Sequence, residues 1–294
     1  MASRHDSNIR RWSVGEVRVT RILELQPVVA DPSAFIRTDA GEVLKRRDWL
    51  CPDFATDDGR IRLHFQAFVI EAAGRRIMVD PCIGNDKPRR AKWLNMLQTD
   101  FLQRLAAAGF PRDRIDYVLC THLHVDHCGW NTMLIDGAWV PTFPNARYLF
   151  ASAELDHARR LCTGDAPVIF ADSVQPIFDA DLADIIDPGH VIVDGVWLEA
   201  TPGHTPGHCS VGISSAGEHA VITGDVLHHP VQLALPDVSS NFCADAELAT
   251  RTRRALLRRA SASNALLLGS HFAGPTGVYL QQDGDAWRVR DPAA

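Results

Sequence analysis

Residues 121–127 read Thr-His-Leu-His-Val-Asp-His, so four side chains able to hold a metal fall within six positions in the spacing His-x-His-x-Asp-His. Imidazole and carboxylate are the ligands of a catalytic zinc site, which keeps one coordination position open. His122 and His124 alternate, so in an extended segment they point the same way. Three further candidates sit at glycine-rich turns: His204 in TPGHTPGH, Asp225 in TGDVLHH and His271 in GSHFAG. A closed structural site needs only four ligands, and here seven are on offer. The set suffices for two divalent metal ions. His122, His124 and His204 would grip one. Asp126, His127 and His271 would take the other, with Asp225 bridging both through its two oxygens. Two such ions lower the pKa of a shared water and make hydroxide available near neutral pH. Zn2+ is the preferred ion, and the same ligands also suit iron, manganese or cobalt.

Something must place these loops. The segment from Trp12 to Leu25 holds an alternating stretch that reads as a strand near the start of a sheet. Residues 30–60 carry Pro, Asp and Gly and read as a long connection, of a length that usually has a function. Phe65 to Glu71, Ala73-Gly74 and Arg76 to Asp80 read as a β-hairpin. Trp93 to Ala108 has helical periodicity, with Gly109 as its stop. Tyr117 to Cys120 reads as a short buried strand that delivers the histidine run. Leu149 to Leu161 reads as helical. Val191 to Val226 alternates strands with glycine turns. Ala244 to Ala262 reads as a helix with Asp245 as N-cap. Ala265 to Leu268 is a short strand that delivers His271. Each metal candidate therefore follows a strand, and loops on a rigid scaffold are where sites are built. Strand-rich halves with interspersed helices predict an α+β sandwich, with residues 1–294 as one domain.

The 294 residues are 46 % hydrophobic and 22 % charged, as in an ordinary globular protein. The formal net charge of −6 argues against a nucleic-acid partner. Arg251, Arg254, Arg258 and Arg259 read as a solvated helix face. The seven cysteines include no Cys-x-x-Cys pair, so neither a zinc ribbon nor a disulfide framework is supported. Cys82, Cys128 and Cys209 border the site motifs and read as small buried residues. The start MASRHDSNIRRWSVGE has no apolar stretch after its charges and does not read as a signal peptide. No apolar run reaches the ~18 residues of a membrane span. A cytoplasmic location, a small-molecule substrate and no membrane partner are expected. A homodimer is an open alternative, with the N-terminal segment and residues 30–60 as its interface.

The motifs VDPCIGND, HLHVDH, TPGHTPGH, TGD and GSH together resemble the metallo-β-lactamase superfamily, from the hairpin before Asp80 to His271. The resemblance implies a four-layer αββα sandwich with the site at one edge between the sheets. It also implies that Asp80 orients a metal-bound histidine without binding metal itself. The segments from Gly129 to Tyr148 and from Gly224 to Leu257 are similar to the methyl parathion hydrolase branch, near the acyl-homoserine lactonases. Where those lactonases carry a tyrosine three residues past the bridging aspartate, this chain has His228.

The chemistry this implies is dinuclear hydrolysis of a lactone or ester, with phosphotriesters as a promiscuous substrate. Asp126 would pass a proton to the leaving alkoxide. His228 would donate a hydrogen bond to the substrate, or is a satisfied loop histidine, and His229 is the weaker of the pair. Phe65, Phe68, Trp93, Trp130, Phe143 and Phe272 are candidates for the pocket wall or for the core. Competing readings are a β-lactam hydrolase, which Asp225 disfavours, an iron-dependent redox enzyme on the same ligands, and a metal-binding protein without turnover.

Overall fold

The computed structural model describes residues 9–161 and 163–290. The first eight residues, part of the segment expected to bear on secretion and on a dimer interface, lie outside the described residues. Strands β1 (Ile9–Val14), β2 (Val17–Ala30), β3 (Ile61–Ala72), β4 (Arg75–Val79) and β5 (Tyr117–Leu119) join β8 (Arg147–Ala151) and β9 (Ala183–Ile186) in one mixed sheet, in that order. The hairpin β6 (Thr132–Ile135) and β7 (Ala138–Pro141) stands apart. A second sheet has the order β10 (Val191–Val193), β11 (Val196–Ala200), β12 (Cys209–Ser215), β13 (Glu218–Ile222), β14 (Leu266–Leu268) and β15 (Gly277–Val278). A last hairpin pairs β16 (Leu280–Asp283) with β17 (Ala286–Val289).

Period-two alternation explains the layering. Phe68 and Ile70 of β3, Ile77 and Val79 of β4, and Leu119 of β5 turn toward Val211, Ile222, Leu266 and Leu268 of the second sheet. Their neighbours Ala67, Val69, Met78 and Val118 face outward. There they meet α3 (Phe101–Ala107), α4 (Ser152–Arg160) and the segment formed by α5 (Ala166–Ile169), a π-helical turn (Phe170–Val174) and α6 (Gln175–Asp179). On the far side, Val221 and Leu267 pack against α1 (Ala40–Leu44), α2 (Arg47–Leu50), α7 (Val231–Ala234) and α8 (Ala246–Ala262). Helix, sheet, sheet, helix is the expected α+β sandwich. Strands buried on both faces need apolar residues at successive positions, as residues 67–70 of β3 show.

The β3–β4 hairpin turns at Ala73 and Gly74, both at positive φ, as a two-residue turn of this kind requires. Asp245 caps α8 by accepting from the Leu248 amide at 2.9 Å. No helix among the described residues is long and apolar enough to cross a membrane.

The alternating stretch within Trp12–Leu25 is β2, and the chain reverses at Gly15 so that the residues before it pair with it as β1. Two expectations need correction. The helix expected from Trp93 begins only at Phe101. Residues 86–97 instead close a loop on themselves: the Asp86 amide donates to Leu97 O, the Met96 amide to Lys87 O and the Arg89 amide to Asn95 Oδ1. Those bonds replace the i→i−4 ladder over the first two turns of the apolar pattern. Residues 149–151 belong to β8 and only then does α4 start. A continuous buried apolar run does not distinguish strand from helix.

Candidate metal centre

Each site side chain leaves the scaffold at the end of a strand. β5 ends at Leu119 and delivers His122 to His127; β11 ends at Ala200 before His204; β13 ends at Ile222 before Asp225; β14 ends at Leu268 before His271. Glycine permits the turns, and Gly224 needs its positive φ of 53° to swing Asp225 inward. The structure brings all seven side chains together. His122, His124, His204 and Asp225 converge as one group, and Asp126, His127 and His271 as another.

Asp225 sits between them, buried. Its Oδ2 lies 3.7 Å from His122 Nε2 and 3.3 Å from His204 Nε2. Its Oδ1 lies 3.3 Å from His127 Nε2 and 3.1 Å from His271 Nε2. Asp126 reaches the second group, 3.5 Å from His271 Nε2. His228 also points in, with Nε2 3.1 Å from Asp225 Oδ2.

The hydrogen bonds behind these rings assign their tautomers. His127 Nδ1 donates to Asp80 Oδ2 at 2.9 Å, which leaves a lone pair on Nε2. Asp80 thus holds His127, as the sequence resemblance implies. Thr121 Oγ1 gives its single proton to Asp80 Oδ2, so at 3.1 Å it must accept from His122 Nδ1. His271 Nδ1 donates to the His64 carbonyl at 2.9 Å. In their neutral forms, three rings therefore aim Nε2 lone pairs at one place. His122 Nε2, His127 Nε2 and Asp225 Oδ1 are buried and make no hydrogen bond. Orphaned buried acceptors of this kind are costly. The donor set fits metal cations, which would satisfy all three.

Electrostatics split the cluster. Burial, reinforced by neighbouring imidazoles, holds His122 well below the ordinary histidine range. Burial also lowers His204, and takes His124 down to about 4. Burial alone would lower His127 and His271 too, but the Asp225 and Asp126 carboxylates override it and raise both. Cys82 and Cys128 are pushed up by burial, as is Cys209, to about 12, so all three stay inert thiols.

Two positioning residues were not singled out from sequence. Glu154 at the start of α4 accepts from the Leu123 amide at 2.9 Å and from Thr205 Oγ1 at 2.6 Å, tying the two loops of the first group together. His208 Nε2 accepts from the Asp225 amide at 2.9 Å. Its Nδ1 donates to Thr201 Oγ1, which passes its own proton to Ser210 Oγ, which donates to Thr223 O. The repeated Pro-Gly-His of TPGHTPGH was the signal for His208. Nothing local marks Glu154, 31 positions from its partner amide.

His229 faces away from the site. It donates from Nε2 to Phe54 O at 2.8 Å and accepts from the Val231 amide at 3.1 Å. Burial lowers it from the ordinary 6.5 to about 4. The unfolded chain therefore takes up a proton near 6.5 that the folded one refuses until about 4, so stability is lost as pH falls through that window. Between pH 7 and pH 5 the metal-free protein is expected to lose about 2 kcal/mol more than its His229→Asn variant, measured by urea unfolding. Equal losses in the two proteins would show that His229 carries no such linkage.

A cavity of about 580 Å3 opens above the cluster. His124, Asp126, His204, Asp225, His228 and His271 form its floor. Phe65 and Trp93 line it, while Phe68, Trp130, Phe143 and Phe272 belong to the core. Phe35, Phe170 and Phe242 complete the wall, and sequence alone did not single them out. Phe35 stands edge-on to Trp93 at 6.4 Å and to Phe242 at 6.1 Å. The long connection at 30–60 thus contributes to the pocket. Among the described residues lining it there is no lysine or arginine.

The fold and this cluster define a metallo-hydrolase architecture, and comparison with known proteins agrees. The metallo-beta-lactamase superfamily model matches residues 66–271, and the chain belongs to that superfamily. A curated N-acyl homoserine lactonase from Bacillus sp is 30 % identical over 111 residues, which span 38 % of this chain and 38 % of that relative's length. Among solved structures, the hydrolase AbOPH of the beta lactamase superfamily superposes with a TM-score of 0.78 at 22 % identity, covering 97 % of this chain and 98 % of that one. AidC, a dizinc quorum-quenching lactonase with N-hexanoyl-L-homoserine bound, gives 0.77 at 20 % identity, with 97 % of each chain covered. A probable metal-dependent hydrolase from Staphylococcus aureus gives 0.76 at 20 % identity, covering 95 % of this chain and 99 % of that one.

Proposed function

We propose that this metal-dependent hydrolase holds two divalent ions, zinc by preference, and opens lactones or esters that carry an apolar group. One observation carries the reading. The two oxygens of Asp225 face separate imidazole pairs at the floor of a largely apolar cavity. A carboxylate so placed suits a shared bridge. The bound ions would supply Lewis acidity and a water of lowered pKa. His122, His124, His204 and Asp225 would hold one ion; Asp126, His127, His271 and Asp225 the other.

The chain's own groups do the rest. Asp126 reaches both the second group and the cavity, so it is placed to take the proton that the attacking water gives up and hand it to the leaving alkoxide. His228 lines the cavity beside Asp225 and donates a hydrogen bond to the substrate oxygen. The apolar wall seats the substituent and excludes water. The absence of lysine and arginine among the described lining residues disfavours substrates with a carboxylate, which a β-lactam typically bears. The lactonase relatives and neighbours support the lactone reading.

Proton release by zinc-loaded protein tests it, on short- and long-chain lactones, an aryl ester, a phosphotriester and a β-lactam. Chelator-sensitive turnover on lactones or esters is expected. Turnover on the β-lactam alone, or silence with oxygen uptake by iron-loaded protein, would overturn the reading. His228→Ala is expected to lower kcat roughly 10- to 100-fold, with both ions still bound by elemental analysis. Metal loss in that variant would make His228 a ligand instead.

A further inference from the structure

One part of the cavity wall comes from a single helical segment, residues 166–179. Ile169, Phe170 and Val174 of that segment line the cavity. Its middle, Phe170–Val174, is π-helical, a rare geometry associated with functional sites. Asp172 and Ser173 turn the other way, into the protein. The Asp172 carboxylate takes a two-pronged bond from Arg89, at 2.6 Å and 3.0 Å. Lys87 Nζ donates to the Asp172 carbonyl at 2.9 Å and to Thr132 Oγ1 at 2.6 Å, and lies 3.7 Å from the centre of the Trp139 ring. Thr132 Oγ1 also donates to the Asp172 carbonyl, and Asn131 Nδ2 to the Ser173 carbonyl at 3.1 Å. Side chains from outside the helix thus meet the carbonyls of the widened turn.

The three charged groups are buried together; both cationic side chains have no exposed area. A buried ion cluster is a weak source of stability, since apolar replacements often match it. Fixing geometry is the use that remains. Lys87 and Arg89 belong to the same loop as Ala91, Trp93 and Leu94, which also line the cavity. One cluster therefore ties two segments of the cavity wall together.

We propose that Lys87, Arg89 and Asp172 are positioning residues that fix these two wall segments relative to each other and so determine the length of the apolar group the enzyme accepts. The proposal rests on the reading that substrates are lactones or esters with an apolar substituent. The test compares wild type with Lys87→Met and Arg89→Lys. The first removes a charge and leaves the Arg89–Asp172 pair; the second keeps the charge and loses the fork. Zinc-loaded proteins are assayed on lactones of increasing acyl length, and a long-chain fatty amide is titrated calorimetrically as a probe that is not turned over. Lys87→Met is expected to change the long- to short-chain ratio of kcat/KM by roughly tenfold, through KM. Metal content is expected to stay the same, and Arg89→Lys to move the ratio in the same direction by less. An unchanged ratio, or an equal loss on every chain length, would overturn the proposal. Should wild type turn over no lactone or ester, the functional reading fails by itself, and unchanged amide affinity in the variants would then overturn the wall-setting role. If Lys87→Met does not fold, Arg89→Lys carries the same test.

Discussion

Asp225→Asn is expected to lower kcat/KM by roughly a thousandfold, about 4 kcal/mol of transition-state stabilisation, and to reduce bound metal below two ions per chain. The reason is geometric. Oδ1 and Oδ2 each face a different imidazole pair, at 3.1–3.7 Å. An asparagine keeps one oxygen and turns an N–H donor toward the other pair. Three of the facing rings already spend their Nδ1 protons on Asp80, Thr121 and His64, so their lone pairs suit a cation. The backbone at 225 is held by His208 Nε2, so the substituted side chain stays where the carboxylate was. Metal stoichiometry and steady-state kinetics on the same preparation check this. Two tightly bound ions with kcat/KM within about tenfold of wild type would sink the bridging role.

What could be read in advance follows from what each signal depends on. The run from His122 to His127 is local, and alternation alone predicts that its first two rings share a side. His204, Asp225 and His271 were legible because each sits at a glycine turn right after a buried strand. Glu154 was not, because its role exists only once α4 packs against two loops distant in sequence. Trp93 shows the same limit. Its segment has helical spacing, yet Trp93 lines the cavity and is 45 % exposed, because loop 86–97 bonds to itself. The aromatic candidates divided for a related reason: all six flank site loops, but which face of the sheet or loop they occupy is a tertiary fact. Phe65 reaches the cavity, while Phe68, three residues on in the same strand, faces the other sheet.

Gly129→Ala is expected to be the most damaging single methyl group near the site. Gly129 needs space more than conformational freedom. A Cβ there would lie 1.7 Å from Ile83 O and 2.1 Å from its carbonyl carbon, both backbone atoms that cannot swing away. The contact is a crossing of two site motifs. The Gly129 amide donates to Cys82 O at 2.7 Å and the Trp130 amide to Pro81 O at 2.7 Å, so the turn after Asp80 lies against the end of the histidine run. Opening the crossing must also stretch the 2.9 Å bond from His127 to Asp80, since both are within three residues of it. Overpacking against fixed backbone costs roughly 3 kcal/mol or more, which lowers Tm by about 6–12 °C in a chain of this size. Losing the Asp80 support is expected to weaken metal binding at the His127 group by roughly 10- to 100-fold. Thermal unfolding with and without zinc separates the two effects: the metal-free variant shows the packing loss, and the smaller zinc-induced gain shows the site loss. A melting point within about 2 °C of wild type with an unchanged zinc response would mean that the two motifs are not held in register at Gly129.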